Sequence, residues 1–213
     1  MLNNASLYRK FPTVQLPATF IEASSAHAPI FLLSLFFGAE VVGFYALSQR
    51  VVRMPISMIS GAVADVFRQK AGQDFVETGD ARQIFRETFT KLLLVSVIPF
   101  GLFFTFAPFL FGFIFGHNWQ ASGEYARILT PMFWMSFVVG PVSSMFMIAQ
   151  KQEYDLAIQV FLIIASVTAL FVGHSVYKSP QIALILFTIV YCTKYCIELY
   201  FAYSFTLKRN AIL

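Results

Sequence analysis

Six apolar stretches, each of 18 or more residues, constrain what this chain can fold into more than any motif in it. They run over 16–37, 41–66, 91–115, 124–149, 156–173 and 181–206. At ~1.5 Å rise per residue, each is long enough to cross a hydrocarbon core of ~30 Å as a helix. The gaps between them alternate in charge. Arg9, Lys10, Arg68, Lys70, Arg82, Arg86, Lys91, Lys151, Lys208 and Arg209 fall in or beside one set of gaps, and Lys178 alone in the other. Short basic loops stay on the cytoplasmic side. The pattern therefore predicts an all-α integral membrane protein of six spans, with both termini cytoplasmic.

Composition supports that class. Hydrophobic residues make up 58% and charged residues 12%, where a soluble domain carries about 25% charge. The whole of 1–213 reads as one six-helix transmembrane lobe with no room for a sizeable soluble domain. The net charge of +4 comes from the loops, without the continuous basic stripe that nucleic acid requires. No cleavable leader is expected, because the apolar run after the polar first 15 residues is too long for one. Cys192 and Cys196 are one turn apart in the last stretch and read as apolar core thiols. No metal site and no cofactor is expected.

Local signals refine the stretches. Pro12 and Pro17 suit the opening of the first. Ser57, Ser60, Gly61, Ala62 and Ala64 in the second allow close helix packing. Asp80 with Gln83 resembles a capping box, and Ile84, Phe85 and Phe89 share a face opposite Arg82, Arg86 and Glu87. A short amphipathic helix over 80–90, lying at the inner surface, is predicted. Pro99 and Pro108 are predicted kinks in the third stretch, and Trp119 suits the interfacial belt.

Arg50 and Arg53 are the strongest candidates for function. Arg50 is ~15 Å from the outer end of its stretch, near the bilayer centre, and the i, i+3 spacing puts both on one face with Gln49 beside them. An arginine in lipid is costly, so it must face a cavity or a partner. Guanidinium forks match phosphate oxygens, which suits a phosphate-bearing head group. The alternative is ion pairing with Glu22 or Asp65 that only holds helices together. Glu22 is either a titrating or exchanging carboxylate or a packing one, and His27 is either functional or a hydrogen-bonded core residue. Glu124 and Arg127 read first as a local salt bridge, with an outer gate contact as the alternative. Lys194 and Glu198 read as an intrahelical pair. No nucleotide, hydrolase or metalloprotease motif is present in the sequence. Binding rather than catalysis is expected.

Several runs together carry a family resemblance. Tyr8-Arg9-Lys10-Phe11-Pro12, then Gly43-Phe44-Tyr45-Ala46-Leu47-Ser48-Gln49-Arg50-Val51 with Pro55, resemble Wzx-type oligosaccharide flippases. So do Phe115-Gly116-His117-Asn118-Trp119-Gln120 and Tyr125-Ala126-Arg127-Ile128-Leu129-Thr130-Pro131. These flippases belong to the multidrug/oligosaccharidyl-lipid/polysaccharide exporter superfamily, and the likeness is to the second six helices of a 12-helix member. The resemblance implies flipping of undecaprenyl-diphosphate-linked oligosaccharide across the bacterial inner membrane by alternating access. It places Arg50 and Arg53 toward a central cationic cavity; with them, the residue reading makes Glu22 and Gln49 candidates for substrate binding and Glu124, Arg127 and His27 candidate gate or secondary polar residues. It also implies a second six-helix lobe, either another copy or a separate chain. A cation-coupled drug exporter of the same superfamily and a non-transporting fragment or accessory membrane subunit are the competing expectations.

Overall fold

The computed structural model describes residues 28–207. Among these the chain is helical, and the sole strand-like feature is an isolated bridge between Asp80 and Leu207. Helix α1 covers Ala28–Phe37 and α2 covers Ala39–Glu77. Gly38 joins them at φ 87°, a left-handed conformation that a side chain disfavours. α3 is Arg82–Phe115, α4 Gln120–Val139, α5 Met145–Ile148, α6 Gln152–Ser175 and α7 Pro180–Ser204. Short 3-10 turns fill His117–Trp119 and Val142–Ser144. α7 starts where its sequence says it should: Ser179 Oγ accepts from the Ile182 N–H at 3.4 Å, and Pro180 takes the first helical position.

Three helices, α3, α6 and α7, are long and apolar enough to cross a membrane, and α4 with α5 makes a fourth if the bent pair is one span. The described residues are thus all-α with three or four candidate membrane spans, where six were predicted over the whole chain. α2 has the length, but Gln49, Arg50 and Arg53 dilute its apolar middle and Asp65 and Arg68 its end. Only ten residues of the first stretch, Ala28–Phe37, are described.

Three boundaries differ from those predicted. α2 continues past 66 to Glu77, and its 39 residues span ~58 Å, well beyond a hydrocarbon core. The amphipathic segment 80–90 is not a separate surface helix; α3 runs through it unbroken. Exposed i, i+4 pairs, Gln83 to Glu87 at 3.0 Å and Lys91 to Glu87 at 3.5 Å, support the helix there. Its apolar side, Ile84, Phe85 and Phe89, packs into the protein. Asp80 does cap this start, but through the Arg82 N–H at 2.9 Å rather than Gln83. The stretch 124–149 breaks at Gly140-Pro141 and turns by 50°, because proline lacks the N–H that would continue the ladder.

The connections gather at two ends. At one, Ala81 N–H donates to Thr206 O at 2.9 Å, and Phe67, Phe85, Met145, Phe146 and Ala202 share a core. At the other, Phe36 stacks on His174 at 4.7 Å, while Phe44 meets Trp119 edge-on at 5.9 Å. The first end carries Arg68, Lys70, Arg82, Arg86 and Lys151; the second carries Lys178. Between them a larger core joins α2, α3, α4 and α7 through Tyr45, Phe111, Leu129, Phe133 and Phe187.

Candidate functional site

The middle of α2 is held by one buried hydroxyl. Ser48 is fully buried, and its Oγ lies 2.6 Å from Ser122 O on α4 and 2.7 Å from Phe44 O. At ~100° per residue, fixing Ser48 against α4 turns Arg50 to the opposite side. Arg50 and Arg53 are accordingly exposed. Both line an open cavity of about 550 Å³ together with Ile30, Tyr45, Ala46, Gln49, Met54 and Ser57. Gln49 Nε2 donates to Tyr45 Oη at 2.8 Å, so the amide is positioned on the cavity wall beside both guanidinium groups.

Arg53 also reaches inward. A small void of about 50 Å³ between α2, α4 and α7 is lined by Arg53, Gln49, Tyr45, Ser136, Tyr191 and Tyr195 among others. Three tyrosines and an arginine thus converge where the helices meet. No described residue makes an ion pair with Arg50 or Arg53: Asp65, one of the two partners considered, pairs with Arg68 at 3.6 Å. The other, Glu22, and His27 lie outside the described residues. The arrangement offers two guanidinium groups, an oriented amide and the Tyr45 phenol on one wall, which suits an anion with several oxygens.

Glu124 and Arg127 pair with each other at 2.5 Å. Arg127 lines a different cavity, about 580 Å³ and mostly apolar, with Phe104, Ile128, Thr188 and Cys192. They are not brought to the Arg50 wall. Lys194 and Glu198 form the expected intrahelical pair at 2.7 Å, with side chains only 8% and 6% exposed.

Sequence reading missed Tyr45, Tyr191 and Tyr195 as neighbours of the arginines. Their spacing held the signal: 45, 49 and 53 repeat every fourth residue on α2, as 191 and 195 do on α7. It also missed Asp155 and Gln159, whose side chains approach at 3.4 Å on α6. Nothing in an apolar run marks which polar residue will be buried.

A family model described as polysaccharide biosynthesis protein matches residues 2–124, which include both arginines. No curated protein and no solved structure matches the chain.

Proposed function

The chain belongs to the polysaccharide biosynthesis protein family, and we propose that it translocates undecaprenyl-diphosphate-linked oligosaccharide across the bacterial inner membrane. The observation that carries the reading is the wall of α2: Arg50, Arg53 and Gln49 face one cavity, and no described carboxylate pairs with either arginine. Two cations with no counter-charge among the described residues are costly at mid-helix in lipid. A diphosphate would offset that cost, since each guanidinium can take two of its oxygens. Alternating access then moves the head group past a cationic wall while the prenyl tail stays in lipid. In this reading the chain is a lobe of six spans with both termini cytoplasmic, and a second lobe, another copy or a separate chain, closes the cavity.

A drug exporter of the same superfamily would favour a cavity for cationic substrates. The described residues lining the arginine cavity include no carboxylate, which favours the anionic substrate. Complementation tests the proposal. The full chain, alone and with a candidate partner lobe, is expressed in a flippase-deficient strain and surface polysaccharide is assayed. Rescue that is lost in Arg50→Ala and Arg53→Ala, with membrane insertion unchanged, is the expected result. Rescue that survives both substitutions would overturn the role of the arginines.

A further inference from the structure

A second concave site lies at the C-terminal end of α2, away from the arginines. A cavity of about 950 Å³ is walled by Val76 on α2, Ile148 on α5, Tyr154 on α6, Tyr200 on α7 and Phe205 just after α7. Val76 is 23 residues from Arg53, or ~35 Å along the helix, so the two sites are separate. The volume is in the range that holds a drug-sized ligand.

Three features set its chemistry. The turn into α6 places Lys151 on its lining, held by Lys151 N–H to Phe146 O at 2.7 Å and Gln150 N–H to Met147 O at 3.1 Å. Lys151 is the sole charged residue among the described lining, and none of the described hydrogen bonds or ion pairs occupies its ammonium. The aromatic wall is already assembled: Tyr154 packs on Phe201 at 5.4 Å and on Phe205 at 5.2 Å, and Tyr200 on Phe201 at 5.5 Å. Tyrosines at the first turn of α6 and the last turns of α7 suit a head-group layer, where such rings are enriched. The surrounding end of the molecule is the basic one, and Lys208 and Arg209 follow the lining residue Leu207 in the sequence.

We propose that this cavity is a binding site for an anionic phospholipid of the adjoining leaflet, with its phosphate on Lys151 and its first methylenes against Val76, Ile148 and Phe205. A soluble phosphate would gain nothing from the carbon-rich wall, and a zwitterionic lipid would bring its own cation toward Lys151. A lone surface lysine favours an anionic lipid by about fivefold. This site is independent of translocation, so its test does not use transport.

The full chain is reconstituted in nanodiscs of equal parts phosphatidylglycerol and phosphatidylcholine, then released into mild detergent, and retained lipids are counted by native mass spectrometry. Phosphatidylglycerol is expected to exceed phosphatidylcholine about fivefold. Lys151→Gln removes that preference, Lys151→Arg keeps it, and Lys178→Gln at the other end leaves it unchanged. The retention of Lys151→Arg shows that the turn still folds. Equal retention of the two lipids, a preference that survives Lys151→Gln, or displacement of phosphatidylglycerol by inorganic phosphate alone would each overturn the proposal.

Discussion

Breaking the Lys194–Glu198 pair should cost far more than removing both partners. The ions are 2.7 Å apart with side chains 8% and 6% exposed, so a partner left behind stays in a nearly dry site. Breaking such a pair by one substitution costs about 3–5 kcal/mol, while an apolar replacement of both is often neutral. The structure makes the two single losses unequal. In Glu198→Gln the ammonium keeps the Tyr195 ring, 4.3 Å away, and its electrostatic reach extends to Asp155 on α6. A loss of about 2 kcal/mol is expected there. In Lys194→Met, Glu198 and Asp155 both lose their cation. Neutralising an ordinary glutamate at pH 7 costs about 3.7 kcal/mol, which caps the damage. A loss of about 3–4 kcal/mol is expected. The double variant Lys194→Met/Glu198→Leu should lie within about 1 kcal/mol of the parent. The assay is reversible unfolding in mixed micelles, where the double variant is expected to be at least about 4 kcal/mol more stable than the sum of the two single losses. A single variant that costs under about 1 kcal/mol, or a double variant that costs the sum of the singles, would refute the reasoning.

Two further outcomes follow from the packing and the turns. A Cβ at Gly173 would lie 2.4 Å from Ala183 Cα and Cβ, so Gly173→Ala should force α6 off α7 and lower stability by about 1–3 kcal/mol in thermal unfolding; unchanged stability would contradict that close approach. The Arg82 side chain beside Asp80, with the Arg82 N–H, holds the Asp80 carboxyl below the usual aspartate range. Its folded-state value is depressed, so its support of the turn is present above the ordinary value of about 3.9 and fades as pH falls through the lower one. Hydrogen exchange at 81–85, corrected for intrinsic rate, should therefore accelerate on that descent in the parent and stay flat in Asp80→Asn.

The class of this fold was written in length and charge, which are local quantities. A run such as 156–173 has no water-soluble use, and the structure turns it into α6 within a few residues. The ends were harder, because helix boundaries depend on partners. α2 reaches Glu77 because Phe67 and Ala71 find Phe85 and Phe146 to pack on, a fact absent from residues 67–77 alone. The 50° turn at Pro141 was within reach, since proline cannot continue the ladder, yet Pro99 and Pro108 sit inside an unbroken α3. What decides between them is tertiary: a bent segment needs somewhere to go. The arginine pair was legible from spacing and depth. Its tyrosine surround was not, because which face of α7 meets α2 is set by packing that an apolar run leaves unspecified.

Affinity for the proposed head group tests the central claim most directly. A polyprenyl diphosphate-linked oligosaccharide is titrated into the purified chain in nanodiscs, with Arg50→Ala/Arg53→Ala and Lys178→Ala alongside. Hydrogen bonds to charged groups contribute about 1.5–3 kcal/mol each. The double arginine variant should therefore bind at least about tenfold more weakly, and Lys178→Ala as the parent does. Equal affinity in the parent and the arginine variant would contradict the account, because the one cationic wall it rests on would then have no part in holding the substrate.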